Sequence, residues 1–355
     1  MVIKKIIKDE WLFILAFFGM LSTSLYLHRF PLLTRTDVEL LYVLFLLFIA
    51  TSGLEQHGTI AMLADKLQAG RFIAIKMVGG TFFFSMLVTN DVALTALIPL
   101  TLLLQLENTE WLVILEILAA NAGSALSPFG NPQNLFIYWY YQVPFGEFLK
   151  TIGVFSATFF VLLIFAAFLL DRREKSEFIQ AKRGFRLSKS DFIYVCILIF
   201  AVLIVLRVLP LSGGLFIILY VLLFDRKSLK IDYVLLATFA CFFGFTDNLE
   251  ILLSGVLAHP HHVFLLSALL SQIISNVPTT LLLANFTTHW RALLWGVSTG
   301  GFGSLVASLA NLIAYRIYVK AEKQKALSFT LKFHALSYGA FFIALTLYAI
   351  LYIAL

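Results

Sequence analysis

The chain has 355 residues and a net charge of +6; apolar and aromatic residues make up 61% and charged residues only 13%, with a mean hydropathy of +0.93. A soluble domain of this length cannot keep so many apolar side chains out of water, so lipid must be the solvent for much of the chain. The net charge does not indicate nucleic-acid binding, because the basic residues lie in short segments between apolar runs, as they do in cytoplasmic loops.

Eleven apolar segments follow one another along the chain, and a helix needs about 20 apolar residues to cross a bilayer. They are residues 11–28, 38–55, 71–105, 111–141, 152–170, 191–209, 212–225, 231–250, 263–290, 291–318 and 333–355. Segment 71–105 carries Thr89-Asn90-Asp91 at its middle, and segment 263–290 carries Ser275-Asn276. Polar groups at membrane depth must be buried in protein or line a wet cavity. We therefore predict that each of these two segments is a re-entrant hairpin.

Segments 111–141 and 291–318 contain runs rich in Gly, Ser, Asn and Pro, which predicts that each is a transmembrane helix broken near its middle. Lys and Arg placement supports this topology. We assume that the N-terminus is cytoplasmic, that the two hairpins do not cross the membrane and that each of the remaining segments crosses it once. In this topology 21 of the 26 basic residues lie on the cytoplasmic side. This asymmetry follows the positive-inside rule. It predicts a multi-pass protein of the plasma (cell inner) membrane with a cytoplasmic N-terminus.

The two halves of the chain resemble each other. SMLVTNDVALT (85–95) aligns with SQIISNVPTTL (271–281), and NAGSALSPFGNPQNLFIYWYY (121–141) aligns without gaps with STGGFGSLVASLANLIAYRIY (298–318). Segment 191–209 has no partner, and its single crossing inverts the second half, as in many secondary transporters. We predict an all-α polytopic membrane protein with two inverted-topology repeats. The first repeat spans residues 1–170 and the second repeat spans residues 210–355. Between them lie a basic cytoplasmic linker (171–190) and the unpaired span (191–209).

The two hairpin tips and the two helix breaks are expected to meet near the membrane midplane. Carbonyls freed at a helix break can coordinate Na+, and amides freed at a half-helix N-terminus can hold an anion. Asn, Ser and Thr add donors and acceptors without charge, and Gly allows close backbone approach. The candidate substrate- and ion-binding residues are Thr89, Asn90, Asp91, Asn121, Gly123, Ser124, Ser127, Asn131, Asn134, Ser275, Asn276, Thr279, Ser298, Gly300, Gly301, Ser304 and Asn311.

Glu116 is a separate case, because it lies inside the apolar run WLVILEILAA. Carboxyl groups within membrane segments are costly and are commonly functional. The sequence leaves open whether Glu116 is simply buried or carries a proton.

Four runs resemble the citrate-transporter-like ion transporter superfamily: TNDVALTALIPL, NAGSALSPFGNPQNL, SNVPTTLLL and GGFGSLVASLANLIAY. This superfamily comprises divalent anion:sodium symporters, arsenite permeases and D-type sodium/proton antiporters. The resemblance extends over residues 39–318. The resembling symporters carry a Ser-Asn-Thr motif at each hairpin tip, which binds Na+ and the substrate carboxylate. Here the tips are Thr89-Asn90-Asp91 and Ser275-Asn276-Val277, so the third position differs and Asp91 is a candidate cation ligand or proton site.

The leading hypothesis is a secondary active transporter that moves a small anion, either a di- or tricarboxylate or an inorganic oxyanion, coupled to Na+ or H+ by alternating access. The alternatives are a Na+/H+ antiporter centred on Asp91, an arsenite efflux permease, a channel and, remotely, an intramembrane enzyme. No catalytic motif and no metal-ligand spacing is found, so no cofactor is expected beyond the coupling ion, for which the hairpin tips are candidate Na+ sites. The expected partners are the lipid bilayer and the anion, and a homodimer is a candidate assembly because dimers are common in the resembling symporters.

Overall fold

A computed structural model describes residues 11–352 of the protein, apart from residues 61, 63–66, 68–69, 105, 174–187 and 253–258. This part of the chain contains fifteen α-helices and no β-strand, which confirms the predicted all-α fold for the described residues. The helices are α1 (Trp11–Leu27), α2 (Arg35–Gln56), α3 (Ile73–Leu87), α4 (Asn90–Leu103), α5 (Thr109–Ser124), α6 (Pro132–Tyr140), α7 (Phe145–Arg173), α8 (Lys189–Val205), α9 (Gly214–Phe224), α10 (Tyr233–Leu252), α11 (Pro260–Ile274), α12 (Asn276–Ala284), α13 (Trp290–Gly300), α14 (Leu309–Ala321) and α15 (Ala326–Tyr352).

Local sequence signals explain where several helices begin. Thr34 and Asp37 form a reciprocal capping box at the start of α2, with hydrogen bonds of 3.2 and 2.7 Å, and a second box of this type starts α8. The start of α3 is capped from a distant part of the chain. Asp171, near the end of α7, accepts hydrogen bonds from the backbone N–H groups of Ala74 (2.9 Å) and Ile75 (3.0 Å). This contact fixes α3 against α7.

The helices form two clusters of similar composition. In the first cluster, α3 and α4 pack against α5, and α7 packs against α3 and α5. In the second, α11 and α12 pack against α13, which also contacts α15. Among the contacts that cross between the clusters, α4 packs against α14, and α12 packs against α6. Each cluster therefore places its second short helix against the interrupted helix of the other cluster.

The polar centres of the two predicted hairpins lie where two helices join. Val88 and Thr89 join α3 to α4 in extended conformation, whereas Ser275 alone joins α11 to α12. Longer interruptions separate α5 from α6 (residues 125–131) and α13 from α14 (residues 301–308). The second of these contains a short 3-10 turn. All four helix interruptions fall within the polar runs that the sequence indicated.

Helix bounds differ from the apolar segments at several ends, because polar residues extend a helix beyond its apolar stretch. α7 begins seven residues before segment 152–170 and continues to Arg173. The first residues of the predicted linker 171–190 are therefore helical, and residues 174–187 lie outside the described residues. α15 begins at Ala326, before the apolar segment 333–355.

Within the described residues, four helical stretches are long and apolar enough to cross a membrane: Arg35–Gln56, Phe145–Arg172, Arg226–Leu252 and Lys323–Tyr352. Five shorter apolar helical stretches accompany them. Large apolar side chains on the surface, such as Phe216 (72% exposed) and Phe224 (74% exposed), face away from the packed core. Such a surface suits lipid, so the protein is a multi-pass membrane protein.

Candidate substrate and ion site

A narrow central cavity of about 40 Å³ lies between the two clusters. Its polar lining residues are Asn90, Asp91, Asn131, Gln133, Thr238, Ser275, Asn276 and Ser308, and its apolar wall includes Leu12, Leu235, Phe239, Phe242 and Leu281. None of the described lining residues is Lys, Arg or His. A ligand in this cavity would meet amide, hydroxyl and carboxyl groups together with aromatic and aliphatic side chains.

Four helices begin at the wall of the central cavity, and their first residues are Asn90 (α4), Pro132 (α6), Asn276 (α12) and Leu309 (α14). The residue before each helix is of a good N-cap type, yet none of these side chains makes an N-cap hydrogen bond. A helix N-terminus carries a partial positive charge of about half an elementary charge, concentrated on its unpaired N–H groups. These helix ends contribute positive potential to the cavity wall without a basic side chain. At α4, however, the N–H groups of Asn90 and Asp91 already donate to Gly130 O and Asn90 Oδ1, and the Asp91 carboxylate lines the same cavity.

Ser275, at the join of α11 and α12, has a strained backbone. Its φ of 75° and ψ of 155° lie in a region that is essentially restricted to glycine. The aligned residue Thr89 has ordinary extended angles, φ −70° and ψ 152°. Ser275 is only 2% exposed, so the surrounding packing holds it in this conformation. Strain of this kind costs about 1–3 kcal/mol and is typical of ligand sites.

A chain of asparagine side chains ties the first hairpin to both interrupted helices. Asn90 Nδ2 donates to Asn121 Oδ1 at 3.3 Å, and Asn121 Nδ2 donates to Asn311 Oδ1 at 2.7 Å. Asn311 Nδ2 in turn donates to the carbonyls of Gly301 (3.1 Å) and Ser304 (3.2 Å). Asn121 and Asn311 are almost completely buried and lie behind the cavity wall. These two residues therefore connect α5 to α14, 190 positions apart in sequence.

Asn134 makes the same contacts in the first half. Its Nδ2 donates to the carbonyls of Ser124 (3.0 Å) and Ser127 (3.1 Å). These carbonyls precede Gly301 and Ser304 by 177 positions, the separation that also relates Asn134 to Asn311. The two interrupted helices thus use one residue type to bind equivalent carbonyls.

The two halves differ at one point of this network. Asn311 Oδ1 accepts from Asn121, but Asn134 Oδ1 is buried and has no hydrogen-bond partner among the described residues. The position aligned with Asn121 in the second half is Ser298, and its Oγ is likewise buried without a partner there. Buried polar atoms are usually satisfied by protein, water or an ion. Asn134 Oδ1 and Ser298 Oγ are therefore candidate cation or water ligands.

Two of the predicted glycines serve close helix packing. A methyl group at Gly123 would lie 2.6 Å from Ser85 Oγ, and one at Gly300 would lie 2.6 Å from Ser271 Oγ. Ser85 and Ser271 are aligned residues of the two halves, so α5 approaches α3 as α13 approaches α11. Gly301 lies nearer the ligand side, because a methyl group there would be 3.3 Å from Asn276 Nδ2.

Other predicted residues hold the loops in place and do not line the cavity. Ser124 Oγ accepts from Asn131 Nδ2 at 2.6 Å, and Ser127 Oγ donates to Met86 O at 2.7 Å. Thr279 Oγ1 donates to a carbonyl of its own helix turn at 2.8 Å. Ser304 Oγ donates to the carbonyl of Gln272 at 2.9 Å.

Three polar lining residues were not among the sequence candidates: Gln133, Thr238 and Ser308. Ser308 aligns with Asn131, so the repeat alignment contained a signal for it. Gln133 lies inside the polar run before Asn134. Nothing in the sequence indicates Thr238, which belongs to α10 and reaches the cavity only through tertiary packing.

An acidic cleft adjoins the central cavity. Glu55, Asp91 and Asp232 line it together with Lys230 and Thr89. Asp91 lines both the cleft and the cavity, so its carboxylate stands where the two spaces meet. The cleft therefore carries three carboxylates and one basic side chain.

An all-helical membrane protein whose interrupted helices meet at a central cavity with polar lining groups has the architecture of a membrane transporter. The chain belongs to the citrate transporter family, whose model matches residues 10–300. It is similar to an uncharacterised transporter of Methanocaldococcus jannaschii, with 35% identity over 71% of this chain and 72% of the relative. It is also similar to the inner membrane protein YbiR of Escherichia coli, with 33% identity over 76% of this chain and 77% of the relative. The resemblance in the sequence motifs is thereby confirmed, and the protein is a membrane transporter of the citrate transporter type.

Proposed function

We propose that the protein is a secondary active transporter that moves a small di- or tricarboxylate, or an inorganic oxyanion, coupled to Na+ or H+. One observation carries the proposal: four uncapped helix N-termini converge on one cavity. Backbone N–H groups at helix N-termini bind carboxylate and phosphate-like groups without basic side chains. The name of the family, citrate transporter, fits a carboxylate substrate.

Alternating access is proposed to arise from two inverted repeats, residues 1–170 and 210–355, joined by the linker 171–190 and the unpaired span 191–209. The reciprocal packing of α4 on α14 and α12 on α6 supports this relation. The equivalent carbonyl contacts of Asn134 and Asn311 support it independently. The excess of basic residues in the predicted cytoplasmic segments favours a cytoplasmic N-terminus, and the name of the relative YbiR favours the cell inner membrane.

Asp91 supplies a reason for ion coupling. An ionised Asp91 repels an anion in the cavity, by about 3 kcal/mol for unit charges 5 Å apart at an effective dielectric constant of 20. A proton or Na+ on Asp91 removes this repulsion, so the anion and the coupling ion bind together. The unpaired Asn134 Oδ1 and Ser298 Oγ are candidate ligands for a second cation.

A second candidate function is Na+/H+ antiport, and the acidic cleft favours it. Three carboxylates in the cleft beside the cavity concentrate cations. In this case Asp91 binds Na+ and H+ alternately, and the cavity carries no anion. The two functions predict different responses of transport to added anions.

Uptake into proteoliposomes tests the proposal. Purified protein is supplied with labelled citrate, succinate, sulfate, phosphate or arsenite, under an inward Na+ gradient, an inward proton gradient or no gradient. We expect gradient-driven accumulation of at least one anion, lost in Asn90→Ala and Asn276→Ala. The matched control is Asn285→Ala, which changes the same residue type at the other end of α12. Sodium-driven pH changes without uptake of any anion would establish antiport in place of the proposed function.

A further inference from the structure

Glu116 is a fully buried carboxyl group that the anion site does not use. It lies in α5 and has no exposed surface. Its Oε1 accepts a hydrogen bond of 2.8 Å from Thr101 Oγ1 of α4. Its Oε2 is buried and receives no hydrogen bond among the described residues. The ion pairs found in the described part of the chain do not include it.

This environment fits a protonated carboxyl group. An ionised carboxylate buried without a cation and with an unsatisfied oxygen is strongly disfavoured. A proton converts the unpaired oxygen into a donor. Thr81 of α3 also lies beside the carboxyl group, and its own hydroxyl proton is donated to Met77 O at 2.7 Å. The Thr81 oxygen can therefore accept the proton of Glu116.

The proton then joins three helices. Glu116 belongs to α5, Thr101 to α4 and Thr81 to α3, so one protonated carboxyl group holds both arms of the first hairpin against the interrupted helix. Removal of the proton leaves an unpaired charge at this junction and weakens the contact. A charge that cannot stay buried favours a state in which water reaches it.

The second half of the chain shows that packing alone does not require a carboxyl group here. The alignment that relates Asn134 to Asn311 places Leu293 opposite Glu116. Leu293 is as completely buried as Glu116. The carboxyl group is therefore a property of the first half only.

A narrow cleft lined by Ala74, Leu112 and Asp171 reaches α5 one helical turn before Glu116. Asp171 is partly exposed at the end of α7 and stands at this cleft. Opening of the cleft by a small movement of α3 would connect Glu116 to water.

We propose that Glu116 is the proton-binding site that couples the first hairpin to transport: it takes a proton from water on one side of the membrane and releases it to water on the other. No other bond is made or broken in this step. The inference deepens the proposed function, on which it rests, by naming H+ as a coupling ion and Glu116 as its carrier.

Infrared difference spectroscopy of the protein in liposomes tests whether Glu116 exchanges a proton. Between neutral and alkaline pH, the wild type should lose a C=O stretching band of a buried carboxylic acid. The band should be absent from Glu116→Gln, in which the amide keeps an acceptor for Thr101 and a donor for Thr81. It should remain in Glu110→Gln, the control on the same helix, because the Glu110 carboxylate pairs with Lys332. A spectrum of Glu116→Gln identical to that of the wild type would overturn the assignment.

Transport separates this inference from the proposed function. Under an inward proton gradient, wild-type proteoliposomes should accumulate citrate, used as the probe, whereas the accumulation ratio should fall in Glu116→Gln, because the proton that Glu116 carries is no longer coupled. Accumulation by Glu116→Gln at the wild-type level overturns the role of Glu116 and leaves anion transport standing. If the wild-type protein takes up none of the tested anions, the proposed function is overturned. The infrared result then still decides whether Glu116 gains and loses a proton.

Discussion

The close approach of α5 to α3 at Gly123 gives a sharp prediction. A methyl group at Gly123 would lie 2.8 Å from the carbonyl carbon of Phe82, closer still to its oxygen, and 2.6 Å from Ser85 Oγ. Ordinary carbon contacts lie near 3.5–4.0 Å, so α5 must move by about 1 Å. Overpacking of a rigid interface costs about 1–3 kcal/mol. The displacement also disturbs the hydrogen bond of 2.8 Å from Ser85 to the carbonyl of Phe82. We therefore expect Gly123→Ala to lower the free energy of unfolding by about 3 kcal/mol.

Gly153→Ala is the matched control for this substitution. Gly153 lies in α7 with nothing within 4 Å of an added methyl group, so the change should stabilise the protein by about 0.4–1 kcal/mol. Thermal unfolding in detergent, followed by tryptophan fluorescence, should place Gly123→Ala below and Gly153→Ala at or above the wild type. Adding Ser85→Ala should not rescue Gly123→Ala, because the closest obstacle is a backbone oxygen. A Gly123→Ala variant that melts at the wild-type temperature would refute the close packing of α3 on α5.

Three further predictions concern the site and its surroundings. Ser275→Gly should raise thermal stability by about 1–3 kcal/mol, because glycine adopts the observed backbone angles without strain, and it should lower anion uptake; a less stable variant would contradict the strain. Asp91→Asn should let the anion bind with little dependence on Na+, measured by thermal shift, and an unchanged Na+ dependence would exclude Asp91 from Na+ coupling. Burial raises the pKa of Asp225, but hydrogen bonds led by that from His57 (2.8 Å) outweigh this and hold the pKa below its ordinary value. The stability that ionised Asp225 supplies is therefore complete above the ordinary Asp pKa of about 3.9 and lost as the pH falls through the lower folded-state value; Asp225→Asn should flatten this acid loss in the melting temperature.

The sequence predicted the positions of the helix interruptions because the physics there is local. A polar triplet in a long apolar run, as at Thr89-Asn90-Asp91, cannot be satisfied within a continuous lipid-facing helix. Proline and glycine in the run before Asn134 likewise stop a helix without reference to tertiary structure. The structure ends its helices at these runs.

The inner organisation of the site could not be predicted in the same way. The bond between Asn121 and Asn311 joins residues 190 positions apart, and no local pattern encodes it. Ser275 and Thr89 are aligned and chemically similar, yet only Ser275 adopts a positive φ, since its conformation is imposed by packing. Composition also could not separate Asn131, which lines the cavity, from Ser127, which holds a loop.

If four helix N-termini form an anion site, binding of the anion should stabilise the folded protein. A ligand at 100 times its dissociation constant stabilises the folded protein by about 2.7 kcal/mol. Thermal unfolding of the purified protein is measured with citrate, succinate, sulfate, phosphate and arsenite, each with and without Na+ and at two pH values. We expect at least one of these anions to raise the melting temperature of the wild type and of Asn285→Ala but not of Asn276→Ala. An equal rise in all three proteins, or no rise with any anion, would contradict an anion site at these helix ends.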